Sequence, residues 1–300
     1  MEHGELLIIG AGAAGLSAAR AAWDSGARDI ALVDSRPVPG GILPQCTHRG
    51  FGRALFGEEK TGPEYAGFLA SRLAGTGIRL IPGTEVLSVS EERTALLSSR
   101  DGVRELGFRR LILAAGCRER CIGSLPVAGT RPAGIFTAGQ VQELLNLRHQ
   151  LPGRRIVILG SGDLGLIMAG QLCEAGAEVL AVIEQADHYG GLARNYRRFL
   201  EPCGVPLLLR TTVTEVIGAE RIAGVQLTKL DSGAAFRLDC DTLVTAVGLI
   251  PDQALIRRLG SPGWLSLAGN CHRVHELVDS AVAEAETVGR EAAASLRRSI

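Results

Sequence analysis

The chain has no excess of charge of either sign: Lys and Arg together number 32, as do Asp and Glu. That balance excludes an overall field drawing the protein to nucleic acid or to an anionic membrane surface. No apolar stretch approaches the roughly 20 residues needed to cross a bilayer, so no transmembrane segment is expected. The N-terminus enters an apolar strand at once, without the basic and apolar regions of a secretory leader, which makes the cytoplasm the expected location. Seven cysteines (Cys46, Cys117, Cys121, Cys173, Cys203, Cys240, Cys271) form an odd, scattered set without a close Cys-x-x-Cys. They argue for reduced thiols over a disulfide framework. Neither they nor the histidines take metal-ligand spacing, so no metal or iron–sulfur site is expected.

Glycine, by contrast, is abundant at 39 residues in 300, and part of it is ordered into two strings, Gly10-Ala11-Gly12-Ala13-Ala14-Gly15 and Gly160-Ser161-Gly162-Asp163-Leu164-Gly165. Each follows an apolar run that reads as a buried parallel strand (Leu6 to Ile9, Ile156 to Leu159) and opens an Ala- and Leu-rich segment that reads as a helix. One such string can arise by chance in a glycine-rich chain, but two in matching contexts point to two dinucleotide sites. The spacing has a physical reason: one glycine makes the tight turn, one lets backbone approach a pyrophosphate, and one lets the helix pack closely on the strand. The helix N-terminus then presents unpaired N–H groups to the phosphates. Each unit also closes on an acid where its next strand ends, Asp34 after Ile30 to Val33 and Glu184 after Val179 to Ile183. A carboxylate there accepts hydrogen bonds from ribose hydroxyls and repels a 2′-phosphate. The alternative, that both acids merely end strands at the surface, has to hold twice.

The rest of the chain repeats one plan. Pro37 to Gly62 reads as an extended loop, too long for a simple connector. A helix begins near Pro63 with Thr61 and Glu64 spaced as a capping box, and ends at Gly75-Thr76-Gly77. Ile78 to Ile81 reads as a strand, then 85–90, 94–98 and 103–107 as a meander, then 110–114 as a further strand running into Ala115 and Gly116. After the second fingerprint come Gly190-Gly191, a strand at 205–209, a meander through 213–217, 222–229 and 235–238, and Leu243 to Val247 running into Gly248. Trp264 to Leu267, Ala268-Gly269-Asn270 and a helix from about Val274 close the chain. Such an ending usually returns to the first domain and makes it discontinuous.

These residues together resemble the two-dinucleotide-binding-domain flavoproteins, the pyridine nucleotide-disulphide oxidoreductase superfamily that includes thioredoxin reductase. The resemblance covers the whole chain. It implies an α/β fold of two Rossmann-like, three-layer ββα domains, with an NAD(P)H domain at 116–248 inserted in an FAD domain at 1–115 and 249–300. It places FAD on Gly10, Gly12, Ala14, Gly15, Asp34, Gly40, Gly41, Val86, Ala115, Gly116, Gly269 and Asn270. The nicotinamide cofactor falls to Gly160, Gly162, Asp163, Leu164, Gly165, Glu184 and Gly248, with NAD(H) favoured over NADP(H) because Glu184 would meet a 2′-phosphate with like charge. Narrower strings, among them Gly40 to His48, Gly116-Cys117-Arg118-Glu119-Arg120 and Thr130 to Ala138, look like the FAD-dependent oxidoreductase associated with bacterial glycerol-3-phosphate dehydrogenase. The segment from Arg131 to Ile135 and Leu151 to Arg155 also look like the flavoprotein subunits of amino-acid and opine dehydrogenases. Asn270 stands where the wider class has Asp, and Arg273 where relatives carry the first His of a His-x-His pair that leaves only His275.

The implied function is an FAD-dependent oxidoreductase that exchanges hydride with NAD(H) and passes electrons to a partner dehydrogenase or a small acceptor. The alternative is a non-catalytic or electron-transfer flavoprotein subunit of a larger dehydrogenase of the amino-acid, opine or glycerol-3-phosphate type. A weaker third is a free-standing peroxide or disulfide reductase. Either a homo- or a hetero-oligomer fits. Hydride transfer is a matter of orientation more than of acid–base work, so binding glycines outrank any catalytic pair. Three side chains are nevertheless candidates for chemistry. Cys46, with His48 as a nearby base, lies on the long loop where disulfide reductases of this class place redox cysteines; a packing role competes at least equally. His275 falls at the expected start of the last helix, whose dipole would face the flavin, or it is an ordinary cap or surface histidine. Cys117 and Cys121 could in principle pair. Thioredoxin reductase activity is not expected, because no Cys-x-x-Cys precedes the second fingerprint.

Overall fold

The computed structural model describes residues 2–298, and the chain divides into two compact units, residues 1–118 with 250–300 and residues 119–249. In the first unit a seven-stranded sheet runs in the order Arg79–Ile81, Ile30–Val33, Glu2–Ile9, Gly102–Leu113, Thr94–Ser99, Glu85–Val89, with Leu265–Leu267 also paired to Gly102–Leu113. The pairs around Glu2–Ile9 are parallel, in register Leu6 to Ile30 and Ile8 to Ile112, whereas the meander pairs are antiparallel.

Alternate strand residues face opposite layers, as the two-residue period of a strand requires. Leu6, Ile8, Ile30, Leu32 and Ile112 share a buried cluster with Leu16 and Ala19 of the helix Ala13–Asp24 and with Ala292 and Leu296 of the helix Val278–Arg298. Leu7, Ile9, Ala31, Val33 and Leu113 instead join Val89, Ala95, Leu97 and Phe108 of the meander. The two helices approach until any Cβ on Gly289 would strike the carbonyl oxygen of Ala18.

The second unit repeats the layering. A parallel five-stranded sheet, Ile135–Thr137, Thr242–Thr245, Arg155–Leu159, Glu178–Ile183 and Leu207–Leu208, turns Ile156, Ile158, Val182 and Val244 towards Leu166, Met168 and Leu172 of the helix Asp163–Glu174. Its other face, Val157, Leu159, Ala181, Ile183 and Leu243, packs on Val213, Val216, Val225 and Leu227 of a second, largely antiparallel sheet. Both units are thus three-layer α/β structures of sheet, sheet and helices.

Four elements differ from the sequence reading. The third meander strand and the strand expected at 110–114 are one 12-residue strand, Gly102–Leu113, because no turn former separates Gly107 from Arg110. Its first half pairs with the meander and its second half with Leu265–Leu267. Residues 37–62 are not a plain loop: Arg49–Phe51 pairs with Lys60–Thr61 around a one-turn helix, Arg53–Phe56. The last helix begins at Val278, four residues beyond the expected start. A further helix stands at Ala138–Arg148, opened by a capping box of Thr137 and Gln140. Among the described residues no helix is long and apolar enough to cross a membrane, and no His, Cys, Asp and Glu cluster could hold a metal ion.

The helix Gly62–Ser71 carries the expected cap: Glu64 accepts from the Thr61 amide at 2.7 Å and Thr61 Oγ1 accepts from the Glu64 amide at 3.4 Å. We predict that Thr61→Ala lowers the local stability of this helix by about 1 kcal/mol, seen as faster amide exchange over its first turn, while Thr61→Ser leaves it near wild type.

Candidate functional site

In each unit the carboxyl ends of the parallel strands converge on a glycine turn. Gly10 and Gly160 sit at φ +102° and +105°, left-handed geometry that favours glycine, and a Cβ on either would run into a carbonyl oxygen, of Ala114 or of Ala246. At Gly15 and Gly165 a Cβ would strike the carbonyl of Gly10 or of Gly160. These four glycines are demanded by the fold itself.

The middle glycines are different. Gly12 and Gly162 have φ of −75° and −63°, which any residue adopts. A Cβ on Gly12 would meet nothing nearer than the Gly41 Cα at 3.7 Å, and one on Gly162 would meet nothing within 4 Å. Nothing in the protein's own packing explains these two glycines. Open space directly over the first turn of a helix, with the helix N–H groups facing it, is the form a pyrophosphate cradle takes. The residues present therefore fit a dinucleotide in both units.

The acids lie beside these turns. Asp34 accepts from the amide of Ala11 and, at 2.8 Å, from that of Arg36. Glu184 accepts from the Ser161 amide (3.1 Å), the Ser161 hydroxyl (2.6 Å) and the Ala186 amide (3.0 Å). Burial alone would raise the Glu184 carboxyl, but the hydrogen bonds from Ala186 and Ser161 outweigh it and hold the group below the ordinary glutamate range. Carboxylate oxygens offer about four acceptor sites, so Asp34, with two backbone donors, keeps free capacity beside its turn.

The Gly-Gly pairs return to the same turns. The Gly40 amide donates to Ala11 O at 2.8 Å, and a Cβ on Gly41 would stand 3.0 Å from the Gly12 Cα. In the second unit the Gly190 amide donates to Ser161 Oγ (3.0 Å) and the Gly191 amide to Ser161 O (2.9 Å). Gly190 and Gly191 stand six and seven residues after the acid, as Gly40 and Gly41 do. Gly190 and Gly191 are given no site role from the sequence alone; the repeated spacing is the signal that marks them. Asp163 is tied to this second loop through the Leu192 amide (2.7 Å) and Asn195 Nδ2 (2.8 Å), and Leu164 packs at the edge of the helix-side core.

Other expected contacts distribute as follows. Ala14 touches the closing motif, since a Cβ on Gly269 would lie 2.6 Å from the Ala14 Cβ. Ala115 is exposed, and Gly116 and Gly248, three residues beyond the strands Gly102–Leu113 and Thr242–Thr245, have φ of +78° and +105° with open space where a Cβ would stand. Val86 is half-buried on a strand whose approach is fixed by the Thr84 amide donating to Asp34 O at 2.9 Å. Beside Asp34 a cleft of 660 Å³ opens between Ser35, Pro37, Gly83, Arg100 and Arg104. Asn270 Oδ1 accepts from the His275 amide at 3.0 Å, which folds the closing turn upon itself.

The three chemical candidates, Cys46, His48 and His275, sit in different surroundings. Cys46 is buried, its Sγ is 3.5 Å from the Ile42 carbonyl, and burial pushes the thiol up to about 12. Burial thus disfavours the thiolate, and the residue packs beneath Gly62, whose amide donates to Cys46 O at 2.8 Å. His48 packs against the Phe51 ring, centroids 5.2 Å apart. The His275 side chain, only 5% exposed, is paired with Glu284 of the last helix, a carboxylate that also takes His272 Nδ1 at 2.7 Å and Arg273 Nε at 3.3 Å. It fastens the closing turn to the helix flank, not to the helix N-terminus, which lies beyond it at Val278. All seven cysteines are free thiols, Cys117 and Cys121 included.

The fold and the paired glycine turns define a class, the oxidoreductases built on two dinucleotide-binding folds. The chain belongs to the pyridine nucleotide-disulphide oxidoreductase family, whose model matches residues 4–263; binding of FAD and NAD(P) is typical of that family. It is 31% identical to an opine oxidase subunit of Agrobacterium tumefaciens (strain Ach5) over 73% of this chain and 46% of that protein. It is 28% identical to the alpha subunit of sarcosine oxidase from Corynebacterium sp. (strain U-96) over 87% of this chain and 28% of that protein. The chain thus spans half or less of the length of these two relatives. Its fold is similar to that of T. acidophilum thioredoxin reductase, with a TM-score of 0.75, 22% identity and coverage of 100% of this chain and 99% of that one.

We predict that iodoacetamide at neutral pH labels the exposed Cys121 of the native protein and leaves Cys46 unlabelled by peptide mapping. Rapid labelling of Cys46 would contradict its burial.

Proposed function

We propose that the protein is an FAD-dependent oxidoreductase that exchanges hydride with NAD(H) and works as a flavoprotein subunit beside a partner that oxidises an amine or amino-acid substrate. The observation that carries this reading is the pair of middle glycines, Gly12 and Gly162, left open by the protein's own packing. FAD, when bound, supplies a two-electron carrier that accepts hydride from a nicotinamide and gives up electrons to an acceptor. Its place in the unit of residues 1–118 and 250–300 is supported by the order of sites in the resembling class and by the cleft beside Asp34, which has room for an adenosine. Asp34 then offers its remaining acceptor sites to the ribose hydroxyls, and Gly40-Gly41 borders the phosphates.

NAD(H) falls to the unit of residues 119–249. Glu184, held as an anion, accepts a ribose hydroxyl and opposes a 2′-phosphate. The nearby guanidinium of Arg210 is already paired with Asp187 at 3.0 Å, so the positive charge a 2′-phosphate would require is engaged. The likeness to opine and sarcosine oxidase subunits supports the amino-acid and opine branch of the expectation over the glycerol-3-phosphate branch. With Cys46 buried and protonated, a free-standing disulfide reductase working through that thiol loses its support.

The test is optical. Protein purified with or reconstituted with FAD is expected to be yellow and to bleach on anaerobic addition of NADH; failure to bind FAD overturns the reading. Gly162→Val should keep the flavin and lose the bleaching, and loss of flavin by that variant would overturn the separate assignment of the two sites. NADPH should reduce the flavin about tenfold less efficiently than NADH or worse, about 1.4 kcal/mol; equal use of both would show that Arg210 or another cation serves the 2′-phosphate.

A further inference from the structure

The two turns share their three glycines but differ between them, and one of the differences is Ala11 in the first unit against Ser161 in the second. In the first unit the shorter acid, Asp34, reaches the Ala11 amide directly, and the Gly40 amide takes the Ala11 carbonyl. In the second unit the acid is longer by one methylene. Its Oε2 stands 3.1 Å from the Ser161 amide and 2.6 Å from the Ser161 hydroxyl. That hydroxyl, on a residue with 0% exposure, also accepts the Gly190 amide at 3.0 Å. One buried oxygen therefore joins the ribose-facing acid to the loop that borders the turn, donating its only proton to Glu184 and accepting from Gly190. A hydrogen bond given to a charged acceptor is about twice as strong as one between neutral groups.

We propose that Ser161 is a positioning residue for NAD(H): its hydroxyl fixes Glu184 in the orientation that meets the ribose and at the same time holds the Gly190-Gly191 loop over Gly162. The proposal rests on the reading of the second unit as the NAD(H) site. The Ser161 hydroxyl is buried and engaged with Glu184 and Gly190, so it acts through them. Removing the hydroxyl leaves Glu184 with its backbone donors alone and leaves the Gly190 amide without its acceptor in the turn. Two consequences follow from different groups. The acid is less well oriented, and it holds its charge less far below the ordinary glutamate range. Because a lowered carboxyl is charged at neutral pH and loses its charge only as pH falls through that lowered value, the variant must lose affinity at a higher pH than wild type.

The experiment uses full-length, FAD-loaded protein and NAD+ as the probe, with binding measured calorimetrically between neutral pH and the acid limit of stability. Flavin content and the thermal midpoint without NAD+ are measured alongside. Ser161→Ala is expected to weaken NAD+ binding about tenfold, to move the acid-side loss of binding to higher pH, and to leave flavin content unchanged. Ser161→Thr, which keeps the hydroxyl, is expected to recover most of the affinity. Wild-type affinity with an unmoved pH profile in Ser161→Ala overturns the proposal while leaving the site assignment standing. Weakened binding with an unmoved profile and no recovery by threonine also overturns it, because that is the pattern of simple loosening. If the wild-type protein itself binds no NAD+, the reading of the second unit fails and the proposal fails with it.

Discussion

Everything at the two sites depends on backbone touching backbone. The helices Ala13–Asp24 and Asp163–Glu174 start so close to the strands before them that Gly15 lies on the carbonyl of Gly10, and Gly165 on that of Gly160. The neighbouring strand ends close in from the other side, with Ala114 and Ala246 against Gly10 and Gly160. A single methyl group at any of the four outer glycines would force strand and helix apart. With the helix start so tightly fixed, its free N–H groups and the space in front of them are fixed too, and that space is what the middle glycines keep clear.

The duplication makes the differences informative. Both units end their second strand in an acid that accepts from the amide two residues later, Arg36 or Ala186, and both bring a Gly-Gly pair back to the turn. Within that shared frame both acids take the amide at the turn, Asp34 from Ala11 and Glu184 from Ser161, and Glu184 takes the Ser161 hydroxyl as well. Arg36, whose guanidinium bonds Gly41 O at 2.9 Å, braces the first loop from the side chain, whereas Ala186 cannot, and Ser161 braces the second from within. The same architecture thus reaches two well-held acids by different means.

Much of this was legible in the sequence because it lies in short-range spacing. The glycine strings, the acids and the strands Ile30–Val33, Ile222–Lys229 and Ala235–Leu238 depend on local pattern, and the Thr61 and Glu64 cap lies within one turn. What was missed depends on contacts distant in sequence. The strand Gly102–Leu113 continues through Gly107 because it has partners on both edges, including the remote Leu265–Leu267. The delayed start of the last helix goes with His275 and Asn270, whose bonds to Glu284 and to the closing turn tie down the residues between the short 3-10 turn Gly269–Cys271 and Val278. Burial of Cys46 beneath Gly62 could not be read from a loop that looked irregular; it depends on the turn Ile42 to Cys46 folding against the start of the helix Gly62–Ser71.

The central claim is that the middle glycine of each string is kept for a ligand and the outer ones for the fold, and stability without ligand separates the two most directly. Thermal unfolding of cofactor-stripped protein should be nearly unchanged by Gly12→Ala and Gly162→Ala and strongly lowered by Gly15→Ala and Gly165→Ala. FAD retention should nevertheless fall in Gly12→Ala and NAD+ affinity in Gly162→Ala. If alanine at the middle positions destabilises the stripped protein as much as at the outer ones, or leaves cofactor binding untouched, the open space over Gly12 and Gly162 is not a dinucleotide cradle.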